Sequence, residues 1–213
     1  DLVPGSAVRH VSATAALQDA SLRFDMARIG LGWTGHLPRP LSTDRSGLRL
    51  RPAISWWSRL IQVRRIEAGR TIGYGCTQRI ERDTIAGLVP VGYADGLPPS
   101  RLAAHRVVVH GKHGPVAAPV LGRMNMDQCV VDLTEVGPVD ADASVEVVSS
   151  DPDSAVSLPR VAARADVMPY ELLCGLSARI PRVVVAGGSL AATDHVPSIE
   201  SKAAVRGPQI GFG

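Results

Sequence analysis

The sequence predicts a mainly β fold, preceded by a short stretch of α/β rhythm, and three observations carry that prediction. From Pro52 to about Ser150 the chain runs through segments rich in Val and Ile, bounded by Gly, Asp, His and Pro. Apolar and polar residues alternate in Arg59-Leu60-Ile61-Gln62-Val63-Arg64-Arg65-Ile66, the period of a half-buried strand. Hydrophobic residues make up 45% of 213, enough for a sizeable core and too many for a disordered chain.

The elements follow in order. Val8-Arg9-His10-Val11 is a short strand candidate, and Ser12-Ala13-Thr14-Ala15-Ala16-Leu17 opens a helix with Ser12 or Thr14 as N-cap. Asp25–Leu31 is a second apolar run, with Arg28 embedded in it. The stretch from Gly35 to Arg51, rich in Pro, Gly, Ser and Arg, reads as a linker between domains. The expected strands are Ile54–Ile66, Asp83–Val91, Arg106–His110, Val116–Leu121, Gln128–Leu133 and Val145–Val148, with a hairpin turn at Gly111-Lys112-His113-Gly114. Two helices follow, Leu158–Ala165 and Pro169–Gly175, the latter with Pro in its first turn. Arg182–Val185 is a last strand, and the tail from Gly187 is small and polar. The divisions expected are residues 1–40, 41–186 and 187–213. Asp1-Leu2-Val3-Pro4-Gly5 lacks an initiator Met and reads like a loop within a larger protein.

The bulk numbers exclude several classes. A net charge of +3, from 23 basic and 20 acidic residues, is too mild and interspersed for a nucleic-acid binder. Cys76, Cys129 and Cys174 are far apart and lack ligand spacing, which argues against a metal site. Their odd, sparse count suits a reducing cytoplasm. No long apolar run suggests a membrane span.

Three glycine-flanked segments could carry chemistry: Arg70–Gly75, Pro90–Gly96 and Gly122–Gln128. A phenol such as Tyr74 has a reference pKa of about 10 and becomes a useful base where cations favour the phenolate. Alternatively, Gly73-Tyr74-Gly75 is a hairpin turn with a surface Tyr. Tyr93, at a strand end, can donate to a carboxylate or gate a channel, or simply cap a β core. The turn around Met126 could offer backbone N–H groups to a carboxylate, or be a bulged strand with Met in the core. Arg28 could donate to a pyridine nitrogen with His10 orienting it, or form a structural ion pair. Thr14, the Gly30-Leu31 backbone and Tyr170 could together hold a phosphate, although each has an ordinary capping or packing role too.

Taken in order, these segments resemble the C-terminal part of the alanine racemase family over residues 8 to 185. Arg9-His10-Val11-Ser12-Ala13-Thr14-Ala15-Ala16 is similar to its RH-x-ANSAA segment, and Asp25-Met26-Ala27-Arg28-Ile29-Gly30 to its NM-x-R-x-G. Ala53–Arg59 resembles the strand that opens its β domain, and Met168–Cys174 with Arg179-Ile180-Pro181-Arg182 its closing helix. The 19-residue step from Tyr74 to Tyr93 also fits.

The resemblance implies a β-rich C-terminal domain preceded by the last elements of an incomplete (β/α)8 barrel. It implies pyridoxal phosphate (PLP) as cofactor and a small amino acid as substrate. It also implies a cytoplasmic enzyme interconverting L- and D-alanine for cell-wall supply by two-base proton transfer. Tyr74 would be one base, with its oxygen near a pocket able to house the cofactor ring. Tyr93 would line the access route, and the Met126 backbone would bind the substrate carboxylate. Arg28 would hold the pyridine nitrogen with His10 behind it, and Thr14, Gly30, Leu31 and Tyr170 would hold the phosphate. Family members are head-to-tail homodimers, so Tyr74, Tyr93 and Met126 would serve the partner's cofactor.

The sequence also departs from the pattern. Lys112 and Lys202 are its two lysines, and neither stands where the family's PLP lysine lies, near the start of the barrel. The chain by itself is therefore expected to be inactive. Thr14 replaces a Ser and Ala13 an Asn. Two other readings remain open at this level: a non-catalytic β module that binds a partner protein, and a racemase of another amino acid such as serine.

Overall fold

In the computed structural model, which describes residues 5, 7–22, 24–37, 50–99 and 105–185, nine strands and two α-helices follow one another. They are β1 (Trp56–Arg59), β2 (Gln62–Ile66), β3 (Thr71–Ile72), β4 (Gln78–Arg79), β5 (Thr84–Val89), β6 (Arg106–Gly111), β7 (Gly114–Leu121), β8 (Cys129–Asp132), β9 (Ser144–Val148), α1 (Leu158–Ala165) and α2 (Pro169–Gly175). Seven strands form one antiparallel sheet in the order β1-β9-β6-β7-β8-β5-β2, and β3 pairs with β4 as a separate hairpin.

The two ends of that order, β1 and β2, are joined in the chain by Leu60 and Ile61 alone. Leu60 N–H donates to Ala143 O on the β9 side, and Ile61 N–H to Leu88 O on β5. The sheet therefore curls round on itself as a barrel, with Leu60–Ile61 as the corner. A second corner lies in β7, whose residues Gly114 to Pro119 pair with β6 and whose last residues, Val120 and Leu121, pair with β8. The single strand expected over Ile54–Ile66 is thus two. Its composition is strand-like throughout, but the amides of Leu60 and Ile61 serve opposite edges of the sheet.

Inward-facing residues alternate along the strands. Val107 and Val109 on β6, Val145 and Val147 on β9, Val89 on β5 and Val131 on β8 are all fully buried around Leu60 and Leu133. Each such side chain contributes about 1.5–3 kcal/mol of burial. The barrel interior is tight at Gly87, where a Cβ would lie 2.8 Å from Leu60 Cδ2 and 2.7 Å from Leu133 Cδ1. On another face, the Trp57 and His110 rings meet at 5.0 Å between centroids.

The β6–β7 hairpin turns at Lys112-His113 with Gly111 opposite Gly114, as the sequence indicates. The two α-helices also fall where expected. In α1, Leu158, Val161, Ala162 and Ala165 make one buried stripe. In α2, the Glu171 carboxylate reaches back to accept from Met168 N–H at 2.9 Å.

Three expectations fail. Val8–Val11 is not a strand, and Arg182–Val185 is not one either: neither pairs with another strand among the described residues. The helix at Ser12–Leu17 is a 3-10 turn, Thr14–Gln18, with no side-chain cap. Thr14 Oγ1 is engaged elsewhere, with the amides of Gly30 and Gly32. Most of the Gly35–Arg51 linker, and the tail from Gly187, lie outside the described residues. The ends of that linker meet, with Ala53 N–H donating to Thr34 O at 3.0 Å.

Candidate active site

Two clusters of the expected residues form. The first surrounds Gly122–Gln128, the segment between β7 and β8. Tyr74 opens a 3-10 turn, Tyr74–Cys76, at the tip of the β3–β4 hairpin. That tip lies against the Gly122 backbone. Gly73 and Gly122 both have positive φ, 82° and 65°. The Gln78 carboxamide oxygen accepts from Gly122 N–H at 2.5 Å, and Tyr74 N–H donates to Arg123 O at 3.4 Å.

Tyr93 opens a second 3-10 turn, Tyr93–Asp95, just after β5. Its N–H donates to Asn125 O at 3.2 Å, and Ala94 N–H to Met126 O at 3.0 Å. One segment thus stitches together the loops of Tyr74, Tyr93 and Met126. Among the described residues, the Met126 N–H itself donates to nothing.

Tyr74, Arg64, Arg123, Asn125 and Gln128 line an open groove of about 550 Å³ over β2, β5 and β8. In the single chain Tyr74 is 72% exposed, Tyr93 49% and Met126 50%. The Asn125 side-chain oxygen is buried and has no hydrogen-bond partner among the described residues. Cys129 also lines the groove. Burial, then the Asp95 charge, pushes its thiol up to about 12, so it is not a nucleophile.

The second cluster joins the N-terminal segment to α2. Gly30 and Gly32 N–H both point at Thr14 Oγ1, at 3.1 and 3.4 Å, and Leu31 N–H donates to the Tyr170 hydroxyl at 2.8 Å. Three successive amides and two hydroxyls therefore converge, with Thr14 and Leu31 buried. A Cβ on Gly30 would press against Tyr170 Oη at 3.0 Å. This donor set fits a phosphate: both hydroxyls can turn to donate, and each amide can pass its hydrogen bond to an anion oxygen.

Arg28 and His10 differ from expectation. Both are exposed, no hydrogen bond joins them, and Arg28 has no ion-pair partner among the described residues. Among the described residues from 8 to 31, Ser12, Thr14 and Leu31 are buried, and Arg28 and His10 lie outside that buried set.

The family follows from the comparison with known proteins. Residues 53–184 match the family model for the alanine racemase C-terminal domain. This chain belongs to the alanine racemase C-terminal domain family. An alanine racemase of Lactobacillus acidophilus is 36% identical over 82% of the chain and 46% of its own length. The crystal structure of alanine racemase from D-cycloserine-producing Streptomyces lavendulae superposes with a TM-score of 0.72 at 33% identity, covering 84% of this chain and 46% of that one. Alanine racemase from Bacillus anthracis, solved with bound L-Ala-P, gives a TM-score of 0.75 at 28% identity, covering 85% and 46%. The chain thus spans about half the length of the alanine racemases it matches. No helix among the described residues is long and apolar enough to cross a membrane.

The sequence missed Gln78, Asn125 and Arg179. Arg179 Nε lies 2.8 Å from Asp95 Oδ1 and its terminal nitrogen 2.7 Å from Asp127 Oδ1. Hydrogen bonds to Asp95, then Asp127, hold the guanidinium above its ordinary pKa. The available signal was an acid close to each of Tyr93 and Met126, namely Asp95 and Asp127.

Proposed function

We propose that this chain is the C-terminal part of a PLP-dependent amino-acid racemase that interconverts L- and D-alanine in the cytoplasm for cell-wall supply. The observation that carries the reading is the single segment, Gly122–Met126, holding both tyrosine-bearing loops beside an open groove. Residues that meet a substrate only when a second protomer covers them need such exposed, backbone-pinned loops. The active unit would be a homodimer with composite sites.

PLP, when bound, would supply an electron sink for the negative charge left at the substrate Cα. Thr14, Gly30, Leu31 and Tyr170 would hold its phosphate, and Arg28 its pyridine nitrogen. The Tyr74 oxygen takes the proton from Cα of the L-enantiomer and returns it in the reverse direction. The Met126 N–H holds the carboxylate, and Tyr93 lines the route in. The second base, on the opposite face, is a lysine that this chain does not place. Lys112 lies in the β6–β7 turn, 3.5 Å from Asp140, and Lys202 is outside the described residues. The chain alone is therefore expected to be inactive.

The test is to combine the chain with the lysine-bearing half of an alanine racemase, PLP and L-alanine, and to follow D-alanine. Conversion should fall by about 10²–10⁴-fold in Tyr74→Phe. Unchanged conversion in that variant refutes the base. Faster turnover of serine than alanine moves the substrate. A well-behaved monomer that ignores PLP rejects the composite site.

A further inference from the structure

Within the racemase reading, and resting on it, we infer that Arg179 is a positioning residue that holds the Met126 amide and Tyr93 in place for the substrate carboxylate. Arg179 lies beyond α2 and lines neither the groove nor the phosphate cluster. Its guanidinium spans two acids that the sequence places next to those residues. Asp127 follows Met126, and Asp95 is two positions after Tyr93.

Asp95 is itself committed. It is 8% exposed, its second oxygen accepts from Gly92 N–H at 2.8 Å, and its backbone oxygen accepts from Ser177 N–H at 3.0 Å. A buried carboxylate with a fixed partner set anchors one arm of the fork, and the other arm fixes the more exposed Asp127. Between them run the two loop-to-loop hydrogen bonds, Tyr93 N–H to Asn125 O and Ala94 N–H to Met126 O. Removing the guanidinium leaves Asp95 short of a charge partner and releases the C-terminal side of the Met126 turn. The N-terminal side keeps its own ties, Gln78 to Gly122 and Tyr74 to Arg123. The loss therefore falls on carboxylate binding and spares the Tyr74 base.

The experiment compares Arg179→Gln and Asp127→Asn with the unsubstituted chain in two arms. In the complemented, PLP-loaded enzyme, Arg179→Gln is expected to raise KM for L-alanine about tenfold while kcat stays within about twofold. Asp127→Asn should move KM the same way and less. In the chain alone, hydrogen exchange at the Tyr93 and Ala94 amides should quicken, while Val120, bonded to His105 O at 2.8 Å, keeps its rate. If Arg179→Gln does not fold, Asp127→Asn decides. Unchanged KM, a fall in kcat as large as the rise in KM, or unchanged exchange at Tyr93 and Ala94 overturns the inference. An unsubstituted enzyme without L-to-D conversion instead overturns the racemase reading, and the exchange arm then judges the clamp separately.

Discussion

Gly73 and Gly122 cross with their backbones in contact: a Cβ on either would stand 2.9 Å from the other's Cα. That crossing seats the Tyr74 turn on the segment that carries Met126. Both positions also have a left-handed φ that disfavours a side chain. Gly122→Ala should therefore cost about 1–3 kcal/mol of stability. A lower urea midpoint with an unchanged m-value is the expected readout, together with slower racemisation in the complemented enzyme.

Removing one hydroxyl of the Thr14–Tyr170 cluster should weaken cofactor retention without harming the barrel. Tyr170→Phe and Thr14→Val are each expected to reduce PLP affinity about tenfold, one hydrogen bond to a charged group. Fluorescence titration of the complemented enzyme checks this, and equal affinity in both variants refutes the assignment of the phosphate.

Barrel closure can be tested at its corner. Leu60 is fully buried, so Leu60→Ala should cost about 2–5 kcal/mol. Gly87→Ala should overpack the same spot, at about 1–3 kcal/mol. The double variant should lose less than the two together, because the shortened side chain vacates one of the two contacts. Strict additivity in denaturant melts would contradict the packing.

His105 gives a pH dependence. It is buried, and its Nε2 lies 2.6 Å from Pro98 O. Burial, more than offsetting that bond, lowers its pKa in the folded chain. The unfolded chain takes up this proton near pH 6.5 and the folded chain only at lower pH, so stability is lost as pH falls below about 6.5. The stability difference between the unsubstituted chain and His105→Gln should be largest above pH 7 and should shrink towards pH 5.5. A difference that grows on acidification would reverse the sign.

Local pattern made much of the fold legible. Alternation marks the strands, the Gly111–Gly114 pairing sets the hairpin, and the Leu158–Ala165 stripe marks α1. What alternation could not give is where a strand changes partner. Leu60 and Ile61 look like the middle of one strand, and only the positions of Ala143 and Leu88, far away in sequence, divide it. Val8–Val11 has strand-like composition, but composition does not supply a neighbour to pair with. For the site, motif order was sufficient to draw Thr14, Gly30, Leu31 and Tyr170 together, and to group Tyr74, Tyr93 and Met126. Arg28 is exposed although it stands in an apolar run, because flanking apolar residues do not reveal what covers them. Arg179 carries no local signature, since its partners are 84 and 52 residues away.

The Trp57–His110 contact gives the barrel a built-in optical gauge. An imidazolium quenches a neighbouring indole, and burial keeps the His110 ring neutral to lower pH than a free imidazole. Emission from this tryptophan should hold steady through the range where an exposed histidine would already have dimmed it, then drop. The share of emission that comes from Trp57, isolated by replacing Trp33 and Trp56 with Phe, thus reads out on acidification whether this wall of the barrel is still closed, with no label attached.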